Sequence, residues 1–195
     1  AVAAGPGSFT GLRIGSATAK GLGLALDKPL VAIPTVDGLA YNLFGTERLI
    51  CPLMDARRNQ VYTGIYEFDG DRLKVLEPQM AVDIQVIAQK LCERKQDVVF
   101  LGDGVPVFRE RLEGGLLEEL TSAGKKFSFA PAHVNKQRAG AVGALALTYL
   151  WEGKQESADE QQPEYLRMAQ AERERMEKER AEAEAAAKKD GEKQA

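Results

Sequence analysis

The sequence is poor in the side chains that build metal and nucleophile sites. It holds one histidine, His133, and two widely separated cysteines, Cys51 and Cys92. A lone imidazole cannot supply the paired ligands of a histidine-type metal site, and no Ser/His/Asp or Cys/His set can be assembled around it. Two distant cysteines exclude a disulfide scaffold and a zinc ribbon, and suit a reducing compartment. Long apolar runs are also missing: the longest, Ala139 to Trp151, is too short to cross a bilayer, and no signal peptide is legible. The chain is therefore expected in the cytoplasm, away from membranes. There is no excess of positive charge, the net value over 195 residues being −3, so contact with nucleic acid is expected only through a partner.

What is present is concentrated at the start. Ala1 to Gly15, Ala-Val-Ala-Ala-Gly-Pro-Gly-Ser-Phe-Thr-Gly-Leu-Arg-Ile-Gly, reads as a strand end, a glycine turn and a helix opening. Gly5 and Gly7 admit backbone angles closed to other residues, Pro6 stiffens the turn, and Ser8 suits the N-cap. A turn of this kind at the end of a strand is a candidate phosphate loop. The spacing GxGxxxG is one residue longer than the dinucleotide fingerprint, and no Gly-Lys-Ser/Thr follows to make a Walker A loop. Asp27, 20 positions after Gly7, lies in a turn before the next strand, where a ribose-binding acid does not belong. As bare chemistry the phosphate-loop signal is weak, and a purely structural tight turn accounts for the residues better.

The helix that follows carries small residues every fourth position: Gly11, Gly15, Ala19 and Gly23, flanked by Leu12, Leu22 and Leu26. Such a stripe lets a neighbouring backbone come close, either the chain's own sheet or a partner helix. On the second reading a leucine at Gly15 blocks association, while a leucine at Ser16 is mild. Arg13, Ser16 and Lys20 fall on the remaining face and are expected to form a solvated edge.

Further along, Leu30 to Ile33 reads as a buried strand and Thr35 as the cap of a helix to about Phe44. Leu49 to Met54 and Gln60 to Phe68 read as strands, and Asp69-Gly70-Asp71 as a hairpin turn. A third strand, Leu73 to Val82, is interrupted by Pro78. Asp83 caps a helix to about Lys95, Asp97 to Leu101 forms an apolar strand, and Gly102-Asp103-Gly104 follows it as a second candidate phosphate loop. A helix near Pro106 to Leu112, a strand from Phe127 to Ala130 and a helix from about Lys136 to Trp151 complete the pattern. Residues 1 to 45 and 97 to 151 thus share the order strand, glycine turn, helix, strand, helix, and only the second copy is preceded by three strands and a helix. The expected fold is α/β, two βββαβαβα lobes, the first lacking its initial βββα. The corresponding parts are residues 1–47, the remnant of the first lobe, residues 48–153, the second lobe, and residues 154–168, a C-terminal segment. Residues 169–195 are a charged, helical or disordered tail.

The duplicated unit resembles the actin-like, sugar-kinase and Hsp70-like ATPase superfamily. The run Gly5 to Gly15, with Ala19-Lys20-Gly21-Leu22, Asp55-Ala56-Arg57 and Val61-Tyr62, closely resembles the TsaB (YeaZ) family. Gly102-Asp103-Gly104 and Pro163-Glu164-Tyr165-Leu166-Arg167 extend the likeness to about residue 169. The resemblance implies a subunit of the machinery that forms N6-threonylcarbamoyladenosine at position 37 of tRNAs decoding ANN codons. It further implies a non-catalytic scaffold, pairing with the catalytic paralogue TsaD and working beside a TsaE-type ATPase. It also implies homodimers when alone and contact with tRNA only inside the complex. Gly11, Leu12, Gly15, Ala19, Leu22 and Gly23 would then form the pairing face. No catalytic residue, no metal and no tightly bound cofactor are expected, with ATP or ADP entering at the level of the complex. Asp55 and Asp103 stand where the superfamily keeps nucleotide-handling acids. Two other readings compete: an ATP-binding phosphotransferase or ATPase of the same superfamily, and a glycoprotease-like metallopeptidase, against which the single histidine stands.

Overall fold

The structure is a computed structural model that describes residues 1–166. Ala1–Glu164 make one compact unit, and a second begins at Tyr165. The expectation for the charged tail lies outside the described residues.

The chain opens with β1 (Val2–Gly5), α1 (Phe9–Leu26), β2 (Ala32–Pro34) and α2 (Thr35–Ala40). It continues with β3 (Leu49–Asp55), β4 (Gln60–Asp69), β5 (Arg72–Asp83), α3 (Ile84–Arg94), β6 (Val98–Leu101) and α4 (Val105–Arg111). The last elements are α5 (Glu118–Ser122), β7 (Phe127–Phe129) and α6 (Ala139–Trp151). β1 and β2 pair in parallel as a two-stranded sheet. The other five strands lie in the order β5-β4-β3-β6-β7, antiparallel from β5 to β3 and parallel from β3 to β7. In both sheets a strand, a glycine turn and helix lead to a parallel neighbour, the order seen in the sequence.

Alternation on β3 sends Leu49, Cys51 and Leu53 to one face, where they join Ile84, Ile87 and Leu91 of α3 and Phe108 of α4. Ile50 and Met54 point the other way, onto Val36 and Leu39 of α2, together with Tyr66 of β4. The central strands are apolar on both faces, as strands covered by helices on both sides must be. Burial also pushes the Cys51 thiol up to about 12, which leaves it an inert core residue. The α2 layer is tied by a buried acid. Asp37 accepts hydrogen bonds from the Tyr66 hydroxyl at 2.7 Å and the Tyr149 hydroxyl at 2.9 Å, joining α2, β4 and α6. Burial raises its carboxyl above the ordinary range, against the opposing effect of the two tyrosine bonds.

Several local expectations need correction. Thr35 is the first residue of α2 and caps nothing; Pro34 occupies the N-cap, and the Thr35 hydroxyl is buried without a partner among the described residues. That helix ends at Ala40 and tightens into a 3₁₀ turn at Tyr41–Leu43, so it does not run on to Phe44. β2 begins at Ala32, since Leu30 makes only an isolated bridge to Glu156. Pro78 does not break β5: the ladder with β4 shifts register nearby, and β5 is an edge strand, where a missing N–H costs little. α6 starts at Ala139, three residues later than expected. A widened helical turn at Leu112–Leu116 and the short α5 were not foreseen. The caps at Ser8 and Asp83 are as read: Ser8 Oγ accepts from the Gly11 N–H at 3.3 Å and Asp83 Oδ1 from the Gln85 N–H at 2.9 Å.

The largest correction falls on α1. Ser16, expected at a solvated edge, is buried and hydrogen-bonded to Gln161. Lys20 donates to the main-chain carbonyls of Gln161 at 2.8 Å and Asp159 at 3.3 Å. Arg13 alone stays on the exposed edge, its guanidinium 4.0 Å over the Phe9 ring. Ser16→Leu would force a large side chain into the contact with Gln161 and is no mild control.

Candidate functional site

The two glycine turns end on opposite sides of one cleft. Its volume is about 730 Å³, and its lining includes Gly7, Ser8, Gly11 and Gly15 from the first turn and α1, with Asp55 and Asp103 from the strand ends of the larger sheet. The fold thus brings the two turns together, but the atoms they show to the cleft differ between them.

Gly5 lies behind the cleft at φ 131°, and a Cβ there would stand 2.2 Å from the carbonyl oxygen of Glu164. Gly102 repeats the arrangement at φ 115°, with the Leu53 carbonyl oxygen 2.1 Å from where a Cβ would be. In each copy a crossing backbone occupies the space of the missing side chain, so glycine is demanded by packing at both positions. The second loop's amides are used inside the fold. The Gly102 N–H is shared by the carbonyl and side-chain oxygens of Asn135, each at 2.9 Å, and the Gly104 N–H donates to Leu53 O at 2.9 Å. What this loop gives the cleft is the exposed Asp103.

Asp55 is turned by its own hairpin. Its Oδ1 accepts from the Arg57 N–H at 2.8 Å, and its Oδ2 stands 3.5 Å from the Arg57 guanidinium. Arg57, Arg58 and Asn59 all have positive φ, which swings the β3–β4 turn around this carboxylate. Arg57 itself lines the cleft, with Met54, Tyr62 and Gln137, none of which was singled out there. Asp55-Ala56-Arg57 and Val61-Tyr62 were noticed only as family motif; the alternation of β4, which turns Tyr62 away from the α3 face, was the signal that could have found it.

The pairing stripe divides. Gly11, Leu12 and Gly15 line the cleft, whereas Gly15, Ala19 and Leu22 border a second groove of about 740 Å³ against Ala139, Val142 and Gly143 of α6. A Cβ at Gly15 would meet only Val2, at 3.9 Å. Gly23 is buried, and a Cβ there would crowd the Lys28 carbonyl at 3.0 Å and Ala158 at 3.2 Å. The outer surface of α1 is apolar: Ile14, Leu22, Leu24 and Leu26 are each about three-fifths exposed. Among the described residues no three His, Cys, Asp or Glu side chains are grouped to hold a metal, and no helix is long and apolar enough to cross a membrane.

Paired α/β sheets with glycine turns meeting across a cleft define the actin-like, Hsp70-like class of fold. YeaZ from Pseudomonas aeruginosa has this fold, superposing with a TM-score of 0.62 at 22% identity over 84% of this chain and 72% of its own. The family model described as TsaD, tRNA N6-adenosine threonylcarbamoyltransferase, matches residues 1–175. The tRNA threonylcarbamoyladenosine biosynthesis protein TsaB of Bacillus subtilis is 34% identical over 174 residues, which are 88% of this chain and 70% of that protein. TsaB of Escherichia coli is 31% identical over 104 residues, 51% of this chain and 45% of its own. The chain belongs to the TsaB (YeaZ) family within this wider threonylcarbamoyltransferase-like group.

Proposed function

We propose that this protein takes part in forming N6-threonylcarbamoyladenosine in tRNA, as a non-catalytic scaffold that pairs with a catalytic paralogue of the TsaD type. The observation that carries the reading is the apolar surface of α1, on which Ile14, Leu22 and Leu26 are exposed along one side of the helix. Of its two cations, Lys20 is turned to the main-chain carbonyls of Asp159 and Gln161, and Arg13 lies over the Phe9 ring. The names of the relatives supply the process. A TsaE-type ATPase completes the assembly, tRNA is met only within it, the free protein pairs with itself, and the place of action is the cytoplasm.

The test is a pull-down with the catalytic paralogue, alongside sedimentation of the protein alone. Leu22→Glu places a charge on the apolar face, and Gly15→Leu puts a large side chain on the small-residue stripe; Leu22 is exposed, and a Cβ at Gly15 meets only Val2, at 3.9 Å. Each variant is expected to keep its circular dichroism spectrum and lose association by at least about tenfold, the effect of roughly 1.4 kcal/mol. Folded variants that bind as the parent does would refute pairing through α1.

The cleft is expected to hold nucleotide only weakly in the isolated protein, since the Gly102 and Gly104 amides are already bonded and two carboxylates, Asp55 and Asp103, face the opening. Calorimetry with ATP and magnesium checks this. A submicromolar dissociation constant would favour the phosphotransferase reading of the same fold.

A further inference from the structure

Of the residues of α1, only Ser16 and Gly23 are buried, and both lie under one distant segment, residues 156–164. With Lys20 they form a single stripe at helical spacing, and every member of it meets this segment. Ser16 Oγ donates to Oε1 of Gln161, a side chain with no exposed surface. Lys20 Nζ takes the carbonyls of Gln161 and Asp159. Ala158 stands where a Cβ of Gly23 would crowd it.

The segment is built to be held this way. Ser157 and Glu160 cap each other reciprocally: the Ser157 N–H and hydroxyl donate to Glu160 Oε2 at 3.1 and 2.9 Å, and the Glu160 N–H donates to Ser157 Oγ at 3.3 Å. That closes one turn, completed by the Gln161 N–H on Ser157 O at 3.2 Å, and leaves its last carbonyls pointing at a cation, as helical turns favour. Both ends of the segment are fastened outside α1. Leu30 and Glu156 exchange two main-chain bonds of 2.9 Å, the Glu164 N–H donates to Ala4 O at 2.7 Å, and Glu164 Oε2 accepts from Gln79 of β5 at 2.7 Å.

We infer that this strap, through Gln161, is the positioning element of α1 and thereby sets the orientation of the face that α1 offers to its partner; the second half rests on the pairing proposed above. α1 carries four glycines and buries only Ser16 and Gly23, so apart from its packing on β1 it depends on this segment for its placement. Gln161 is a positioning residue: it touches α1 at Ser16, away from Ile14 and Leu22, and acts on the pairing face only through the helix.

The experiment is hydrogen exchange on the full-length protein, comparing the parent with Ser16→Ala, Gln161→Ala and the double variant, with partner affinity measured on the same samples. Both single variants are expected to speed exchange of the α1 amides about tenfold while amides of β3 and β6 keep their protection. The double variant is expected to add little, because both changes remove one shared contact. Affinity for the catalytic paralogue should fall in step. Unchanged α1 exchange in both single variants would overturn the inference. Faster α1 exchange with undiminished partner binding would leave the strap as positioning element and overturn pairing through α1. If Gln161→Ala also strips protection from β3 and β6, Ser16→Ala decides: selective loosening of α1 upholds the inference, and none refutes it.

Discussion

Replacing Gly102 with alanine is expected to cost about 4 kcal/mol or more in stability. Two costs add. At φ 115° an L side chain is strained by about 1–3 kcal/mol, and the new Cβ would stand 2.1 Å from Leu53 O with the Leu39 side chain at 3.2 Å. β3 and β6 are paired partners at this point, so the backbone cannot withdraw without breaking the ladder. Gly7→Ala is the internal comparison: its Cβ meets Leu12 at an ordinary 3.5 Å, and the midpoint of urea unfolding should move little. Gly21→Ala, with nothing within 4 Å on an exposed helix face, should stabilise by about 1 kcal/mol. Equal stability of Gly102→Ala and Gly7→Ala in the same titration would show that the close approach in the second loop is not what demands glycine.

Asp37→Ala is expected to cost about 3–5 kcal/mol, near 10 °C in melting temperature for a unit of this size, because it leaves the Tyr66 and Tyr149 hydroxyls without their acceptor. Asp37→Asn should cost much less, since one amide can accept from one tyrosine and donate to the other. The pH dependence separates the two contributions. Burial raises the folded carboxyl pKa above its usual 3.8, so folding favours the protonated form. The stability from this group is complete below the usual value and declines as pH rises through the raised one. Asp37→Asn should flatten that decline. A parent whose stability climbs over this interval while the asparagine variant's stays level would contradict the raised carboxyl.

The two positions also show what a sequence can disclose. Gly5-Pro6-Gly7 and Gly102-Asp103-Gly104 were legible as matching turns because turn chemistry is local. Ser8, Asp83 and Asp69-Gly70-Asp71 were legible for the same reason. That the first glycine of each turn lies beneath a carbonyl was not legible, since Glu164 and Leu53 are distant along the chain. Ser16 was misplaced for the same cause: helical spacing says which residues share a face, not what covers it, and its partner is 145 residues away. α5 escaped because Gly114 and Gly115 leave helical geometry and interrupt the apolar spacing between Leu112 and Leu120. Of the cleft, the two acids and the first turn could be named in advance. Arg57 and Gln137 enter only through the left-handed hairpin and the loop before α6, where no periodicity guides a reading.

The bond from the Glu164 amide to the Ala4 carbonyl brings the two ends of the compact unit side by side. If the molecule were stretched between residue 1 and residue 164, tension would fall first on that bond, then on the β1–β2 pairing and the two bonds between Leu30 and Glu156, and only afterwards on the five-stranded sheet. The first event under load would be the strap peeling from α1 with the larger sheet still intact, a short extension at low force preceding a single cooperative rupture.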